Sequence, residues 1–231
     1  PRIYFIATFI ATYCFWLAGA SASFHDDQSG MYMLFMLPAL LLIMPLTVLI
    51  SIVLSLPFGG SVSQFQFAEG FSFSSGFVPV LFLLLLAAGF EELGWRGYAF
   101  DSLQSRYTYF KASIVFSILW SLWHFPLIFV NNSYQYEIIH QSIWFGVNFF
   151  ISIIPMGVII SWMCIKNGKS VLAAILFHFV INLSQEILAI TQFTKCIETL
   201  VLIVVAAAIV ALDKEMFFSR EPLDQSLKND R

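Results

Sequence analysis

The sequence predicts an all-α fold: a polytopic transmembrane bundle with about seven spans. Three observations predict it. Of the 231 residues, 59% are hydrophobic and 11% are charged, whereas a soluble domain carries about 25% charged residues. The mean hydropathy is +0.84. The apolar residues also fall into runs of about 20, the length at which a helix crosses the hydrocarbon of a bilayer.

The predicted spans follow one another with short polar segments between them. They cover residues 3–23, 31–57, 77–100, 111–131, 140–165, 170–190 and 196–213. Prolines interrupt three of these spans. Because proline removes a backbone donor, bends are predicted at Pro38 and Pro45 in the second span, at Pro126 in the fourth and at Pro155 in the fifth.

Two segments lie outside the apolar runs. Residues 59–76 are rich in Gly, Ser and Phe and are predicted to form either an interfacial loop or a short amphipathic helix on the membrane. The charged tail, residues 213–231, is predicted to be cytoplasmic or disordered. Since no internal repeat is found, residues 1–231 are predicted to form a single membrane domain.

Lysine and arginine predict the orientation of the bundle. Eight of them fall on one side, at Arg106, Lys111, Lys166, Lys169, Lys214, Arg220, Lys228 and Arg231, and two on the other, at Arg2 and Lys195. Cytoplasmic loops carry the excess of basic residues, so the first side and the C-terminus are predicted to be cytoplasmic. Seven spans then place Pro1 outside, and an additional helix before Pro1 would bring the total to eight.

The basic residues and the cysteines give no indication of nucleic-acid binding or of a zinc site. No basic cluster exceeds two residues, so nothing indicates a nucleic-acid partner. The three cysteines, Cys14, Cys164 and Cys196, follow no CxxC or other zinc spacing. They are interpreted as small apolar residues of the bundle.

Few ionisable residues interrupt the predicted spans. They are Glu91, Glu92 and Arg96 in the third span, His124 in the fourth, and His178 and Glu186 in the sixth. Each charge held at mid-bilayer costs about 2.5–3.5 kcal/mol, and such residues mark functional sites by default. They are therefore predicted to face the interior of the bundle, whereas His25 and His140 are predicted to be interfacial.

Spacing separates the roles of the charged residues in the third span. Glu92 and Arg96 are four residues apart and share one helical face. The simplest interpretation of this pair is a buried ion pair that locks the helix. Glu91 lies about 100° around the helix from Glu92 and cannot share Arg96 equally well. A carboxyl group without a fixed cation is suited to proton transfer.

His178 and Asn182 repeat the four-residue spacing in LFHFVINL. Each can donate a hydrogen bond, so the pair could cradle an oxyanion. Alternatively, it could stitch two helices together. His124, in WSLWHFPLIF, is on its own more typical of a structural histidine.

Glu91, His124 and His178 are predicted to lie at similar depths in the membrane. The helical rise places His124 roughly 20 Å from Lys111, Glu91 about 15 Å from Asp101 and His178 about 14 Å from Lys169. All three helices start or end on the predicted cytoplasmic side. The three spans are therefore predicted to deliver these side chains to one layer.

Three motifs resemble those of a known family in the same order. FEELGWRG resembles the EExxxR motif of the CPBP family, which comprises CAAX-type prenyl-protein endopeptidases and bacteriocin-processing (Abi) enzymes. SLWH is similar to the second motif and HFVIN to the third, HxxxN. The resemblance covers roughly residues 77–190, the catalytic core. The second motif is usually FxxxH, and Trp120 stands at its first position, where another aromatic residue is expected to preserve packing.

The resemblance implies a helical membrane fold, commonly of eight spans, with a cavity open to the cytosol, and peptide-bond hydrolysis inside the membrane. Glu91 and His124 would hold and activate a water, and His178 with Asn182 would stabilise the oxyanion. Glu92 and Arg96 would shape the site, and Glu92 is also a candidate to share the catalytic work. The implied substrate is a membrane-associated or lipidated peptide or protein: a prenylated CAAX tail, a leader peptide or a peptide pheromone.

Two questions remain open at this point. Zinc is possible, with Glu91, His124 and His178 as ligands, but there is no HExxH motif and asparagine is a poor zinc ligand. Water activated directly by glutamate is therefore the leading interpretation, without a cofactor. The alternative functions are a non-catalytic immunity or regulatory protein and a proton-coupled transporter, although no inverted repeat supports the latter.

Overall fold

The computed structural model describes residues 29–69 and 77–220, and helices make up most of them. The described residues contain no β-strand and one isolated antiparallel β-bridge, between Phe67 and Leu188. The predicted all-α class is therefore confirmed. The helices are α1 (Ser29–Ser55), α2 (Phe77–Gly94), α3 (Phe100–Gln104), α4 (Tyr109–Trp123), α5 (Tyr134–Gln141), α6 (Ile143–Lys166), α7 (Val171–Glu186), α8 (Gln192–Leu212) and α9 (Lys214–Phe218).

Four segments of the described chain are long and apolar enough to cross a membrane: Met36–Phe58, Tyr109–Phe129, Ile143–Lys166 and Gln192–Leu212. They confirm a membrane protein with a helical bundle. Helix α7 is apolar but shorter, with 16 residues, and α2 carries the charged residues near its end. The predicted span at residues 3–23 lies outside the described residues, so the total of seven stays a prediction.

The predicted fourth and fifth spans differ in detail from the helices. Helix α4 ends at Trp123 and a 3-10 turn, Phe125–Phe129, replaces the predicted kink. Pro126 explains this end, because it lacks an N–H and disfavours helical geometry in the residue before it. The predicted span at 140–165 begins as two helices, because Ser142 adopts an extended conformation and caps α6 with its side chain. Helix α6 continues through Pro155.

Helix α6 is the centre of the bundle and packs against α4, α5, α7 and α8. Its contact with α4 depends on Gly157, which is buried. A Cβ atom at this position would lie 2.1 Å from Oγ of Ser117. The absence of a side chain therefore allows the two helices to approach closely, as small residues do in membrane proteins.

The segment between α1 and α2 is fastened to the turn between α7 and α8. The side-chain Oε1 of buried Gln64 accepts hydrogen bonds from Oγ1 of Thr194 at 2.6 Å and from the backbone N–H of Thr191 at 3.0 Å. The backbone N–H of Ala68 donates to the carbonyl of Ile187 at 3.1 Å. Of the two predicted forms for residues 59–76, the described part is a loop with a 3-10 turn at Val62–Phe65, not an amphipathic helix.

Ion pairs gather the basic segments at one end of the bundle, which we call the basic end. Nζ of Lys166 lies 2.9 Å from Oδ2 of Asp213, and Nζ of Lys169 lies 3.6 Å from Oδ1 of Asp101. The first residues of the charged tail are helical here, and Phe217 of α9 is fully buried. Disorder, one of the two predictions for the tail, is therefore wrong for Lys214–Phe218.

Candidate active site

The last turns of α2 direct two adjacent carboxylates to different neighbours. Glu91 contacts α4, where Nε1 of Trp120 donates a hydrogen bond to its Oε2 at 2.9 Å. Glu92 contacts α7, where Nδ1 of His178 lies 2.9 Å from its Oε1. This divergence follows from the rotation of about 100° per residue along a helix.

Glu92 and Arg96 form the predicted ion pair inside the bundle. Oε2 of Glu92 lies 3.3 Å from Nη1 of Arg96, and both side chains are fully buried. The two atoms are in contact but are not aligned for a hydrogen bond. Nη2 of Arg96 donates to Oγ of Ser161 at 3.4 Å, and its guanidinium lies 3.8 Å from the ring centroid of Phe116. The cation is thus held between α4 and α6.

A π turn, Trp95–Ala99, joins α2 to α3 directly after the two carboxylates. Such turns widen the helix locally and often occur at functional sites. Arg96 lies within this turn and is buried. The turn therefore places the guanidinium in the interior while the chain continues toward the basic end.

Trp120 does more than the sequence analysis assigned to it. The departure from phenylalanine at this position was expected to preserve aromatic packing, and Trp120 does stack on Phe116 with ring centroids 5.7 Å apart. Its indole N–H additionally binds Glu91, a contact that phenylalanine cannot make. The signal for this contact is present in the sequence: Trp120 carries an N–H donor at a motif position where the family usually has phenylalanine.

His124 follows the last residue of α4. Its Nδ1 lies 2.8 Å from the backbone carbonyl oxygen of Trp120. A carbonyl oxygen only accepts hydrogen bonds, so Nδ1 carries a proton and donates it there. In the neutral imidazole, Nε2 therefore holds the lone pair. The ring packs edge-on against Phe149, with centroids 5.5 Å apart, which fixes its orientation.

His178 is oriented by the buried carboxylate of Glu92. A carboxylate accepts the Nδ1 proton, so Nε2 of His178 is an acceptor in the neutral ring and a donor in the imidazolium. The oxyanion role considered for His178 therefore requires the doubly protonated ring. Asn182 lies one turn further along α7, is half-buried and makes no hydrogen bond to the described residues.

One cavity of about 360 Å³ brings the predicted residues together. Glu91, His124, His178 and Asn182 all line it. Glu92 and Arg96 do not, and they lie behind the wall that Glu91 and His178 form. We call the four lining residues the catalytic layer. The cavity lets three helices present an acid, two imidazoles and an amide to a single bound molecule.

The cavity also has a polar wall that the sequence analysis did not single out. Nε2 of Gln185 donates a hydrogen bond to Oε1 of buried Glu198 at 2.6 Å, and Lys195 lies one turn before Glu198 on α8. Glu198 falls within the predicted span 196–213, and the cost of burying a carboxyl group in a span was the missed signal. This wall lies toward the end where α7 meets α8, opposite the basic end, which we call the distal end.

The side chains of the described residues do not gather into a metal centre. Within residues 29–69 and 77–220, no group of three or more His, Cys, Asp or Glu side chains is close enough to hold a metal ion. Glu91, His124 and His178, the ligand set considered for zinc, do not form such a group. Each of them already uses one polar atom in a hydrogen bond to the protein.

Comparison with known proteins adds an independent observation. Residues 73–184 match the family model described as Type II CAAX prenyl endopeptidase Rce1-like, and these residues include the whole catalytic layer. A curated relative, CAAX prenyl protease 2 of Methanococcus maripaludis, is 59% identical, over 95% of this chain and 96% of the relative. The resemblance drawn from the three motifs is confirmed.

Proposed function

Because this chain belongs to the Rce1-like CAAX prenyl endopeptidase family and is a protease, we propose that it cleaves its substrate with a water held by Glu91 and His124. The observation that supports this mechanism is the convergence of Glu91, His124, His178 and Asn182 on one cavity. The family favours an enzyme over the non-catalytic regulator and the transporter considered from the sequence.

The hydrogen bonds around Glu91 and His124 support their proposed roles. Trp120 holds Oε2 of Glu91, and Oε1 makes no hydrogen bond to the described residues. His124 has Nδ1 engaged by a carbonyl and leaves Nε2 for the cavity. A water between these two acceptors can donate one proton to each, which orients its oxygen lone pair toward a bound carbonyl carbon.

The proposed reaction is hydrolysis of an amide. The water oxygen attacks the carbonyl carbon while Glu91 takes one of its protons, giving a tetrahedral intermediate with a negatively charged oxygen. The C–N bond then breaks, and the leaving nitrogen takes the proton from Glu91. The products are a carboxylic acid and an amine, so atoms and charges balance without a further reactant.

His178 and Asn182 are proposed to stabilise the oxyanion. The side-chain amide of Asn182 is available as a donor, and Nε2 of His178 donates when the ring carries both protons. Glu92 orients the ring for this role, since its carboxylate accepts from Nδ1 and leaves Nε2 for the cavity. A single donor of this kind is worth about 2.7–4 kcal/mol in the transition state. Arg96 acts through Glu92, by holding its second oxygen.

The proposed substrate is a membrane-associated lipidated peptide or protein, in first place a prenylated C-terminal tail. The relative is named a CAAX prenyl protease, and prenylation attaches an isoprenoid to the cysteine of such a tail. The cavity of about 360 Å³ lies at the lower end of the range for ligand sites, about 300–1,000 Å³. It suits one extended segment rather than a folded protein.

We also propose that the catalytic layer is reached from the cytosol and that the C-terminus is cytoplasmic. The second part is supported by the basic end, where Lys166 pairs with Asp213, Lys169 pairs with Asp101 and Lys214 begins α9. The first part follows from the cytosolic origin of a prenylated tail. The polar wall of the cavity points to the distal end instead, so the two parts need separate tests.

Glutamate-activated water without a metal remains our proposal for the cofactor question. It is supported by the lack of a ligand group within the described chain. Enzyme purified without chelator should retain its cleavage rate after dialysis against a zinc chelator. Stoichiometric zinc in active protein, with activity lost on chelation and restored by zinc, would overturn the proposal.

The mechanism is tested with full-length protein in liposomes and a fluorogenic farnesylated peptide. Glu91→Gln, His124→Ala and His178→Ala should each abolish cleavage while the purified protein keeps its helical content and thermal midpoint. Glu137→Gln, at an exposed carboxylate on α5 outside the cavity, is the matched control and should cleave normally. Normal cleavage by the three cavity variants would overturn the mechanism.

A further inference from the structure

Asn148 is a polar side chain of the cavity that does not belong to the catalytic layer. It lies on α6, is half-buried, and lines the cavity together with Phe145 and Phe149. Its side-chain amide makes no hydrogen bond to the described residues. Because α6 is long and apolar enough to cross the membrane, an amide at this place carries a free-energy cost unless a partner reaches it.

Three other polar side chains on or just after α6 are satisfied by that helix. Oγ of Ser152 and Oγ of Ser161 donate to backbone carbonyls three and four residues earlier, at 2.8 Å and 2.6 Å. Nδ2 of Asn167 does the same at 2.7 Å, and this side chain is buried. These residues serve the helix, whereas the amide of Asn148 stays available to a molecule in the cavity.

A hydrogen bond between α4 and α6 gives the depth of Asn148. Oγ of Ser121 donates to the carbonyl oxygen of Phe150 at 2.9 Å, so these two residues lie at one level. Toward the distal end, Asn148 lies two residues from Phe150 and His124 lies three residues from Ser121, because the two helices run in opposite directions. The helical rise makes these distances about 3 Å and about 4.5 Å. The backbones of Asn148 and His124 are therefore nearly level.

The ring of His124 turns back by one turn, since its Nδ1 donates to the carbonyl of Trp120. The water that we propose His124 to hold thus lies about one helical turn, roughly 5 Å, from Asn148 on the side of the basic end. An extended chain covers about 3.3–3.6 Å per residue. With the scissile carbonyl at that water, Asn148 faces the second substrate residue from the scissile bond.

A carboxamide suits the backbone of an extended peptide. Water around the amide of Asn148 is displaced when a peptide fills the cavity, and the amide then needs a new partner. It offers one oxygen that accepts and one NH₂ group that donates. One residue of an extended chain directs its N–H and its C=O to the same side, as in an antiparallel ladder. The two sets of groups are complementary.

We propose that Asn148 binds the backbone N–H and C=O of the second substrate residue from the scissile bond. This inference rests on the proposed protease function and adds a backbone contact from α6 to the groups on α2, α4 and α7. Asn148 takes no part in proton transfer. It holds the peptide extended, with the scissile carbonyl at the catalytic layer, and it does so without regard to the side chain of the residue that it binds.

The experiment compares farnesylated peptides that differ in one backbone atom. In two analogues of a parent peptide, an ester oxygen replaces the N–H of the second residue from the scissile bond, on the acyl side or on the amine side. The scissile amide stays intact, and its cleavage is followed by mass spectrometry. The kcat and KM values are measured in liposomes for wild-type protein, Asn148→Leu and Asn148→Ala. Asn131→Leu, at an exposed asparagine outside the cavity, is the matched control.

Wild-type protein should cleave one of the two ester analogues about 10-fold less well than the parent in kcat/KM, the value of one hydrogen bond. Asn148→Leu and Asn148→Ala should cleave the parent about 10-fold less well than wild type. They should show no further loss on that ester analogue, because the contact is already absent. Asn131→Leu should behave as wild type, and all variants should keep the thermal midpoint of the wild-type protein.

Each other outcome counts against the inference. Equal cleavage of the parent and both analogues by wild-type protein, a comparison that needs no variant, would overturn the backbone contact and leave the protease function standing. Parent cleavage at the wild-type rate by Asn148→Leu would do the same. A further 10-fold loss on the ester analogue in Asn148→Leu would show that Asn148 acts through the fold and not on the substrate. Cleavage of no peptide by wild-type protein would overturn the proposed substrate class and this inference with it.

Discussion

Trp120 binds Glu91 through its side chain, with Nε1 lying 2.9 Å from Oε2 of the carboxylate. The backbone carbonyl of the same residue accepts a hydrogen bond from Nδ1 of His124 at 2.8 Å. A single residue of α4 therefore orients both groups that we propose to hold the water. The orientation of Glu91 and His124 therefore depends on Trp120, although the family motif, with phenylalanine at this position, indicates only a packing role.

Replacement of Trp120 by phenylalanine should lower kcat by about 10- to 100-fold, because a hydrogen bond to a charged group is worth about 1.5–3 kcal/mol. The phenyl ring retains the stack on Phe116, so the thermal midpoint should change little. Steady-state cleavage and thermal unfolding in detergent measure the two effects. Trp144→Phe, at an exposed tryptophan at the start of α6, is the control. An unchanged kcat in Trp120→Phe would show that the hydrogen bond is dispensable.

Removal of Glu92 should destabilise the fold as well as the site. Glu92→Ala leaves the guanidinium of Arg96 buried without its anion, and breaking a buried pair costs about 3–5 kcal/mol. The double variant Glu92→Leu with Arg96→Met removes both charges and should recover much of the lost stability. It should stay inactive, because His178 has lost its partner. Denaturant unfolding and cleavage assays separate the effects, and a double variant no more stable than Glu92→Ala would contradict the pairing argument.

The close contact of α4 with α6 predicts a difference between two glycines. Gly157→Ala places a methyl group against Ser117 and should lower the thermal midpoint, because overpacking a core costs about 1–3 kcal/mol. The methyl group that Gly89→Ala adds meets no atom within 4 Å. This variant should be neutral or more stable, since alanine is more favourable than glycine inside a helix by about 1 kcal/mol. Thermal unfolding of both proteins in one detergent makes the comparison. Equal midpoints would show that the helices can move apart without cost.

Two features of the sequence, its apolar runs and its buried charges, predict the helices and most of the candidate site residues. Apolar runs predict helices well, because the bilayer fixes their length, and the cost of buried charge led to Glu91, His124 and His178. The contacts between helices could not be predicted in this way, because they depend on how separate spans pack. Spacing along one helix shows that Glu91 and Glu92 diverge, but it does not show that Trp120 and His178 receive them. Loop charge alone predicts a place for Lys195, and it does not show that the side chain lies over the ring of Tyr134.

The orientation of the bundle can be tested with single cysteines in a background where Cys14, Cys164 and Cys196 are replaced by alanine. The loop charges predict that Lys214→Cys, at the basic end, is protected from a membrane-impermeant maleimide in intact cells and is labelled after lysis. Asn131→Cys, exposed in the turn before α5 at the distal end, should be labelled in intact cells. The reverse pattern would put the distal end and Lys195 in the cytosol. In that case the polar wall faces the compartment where prenylated tails are made, and the charge bias of the loops does not set the topology.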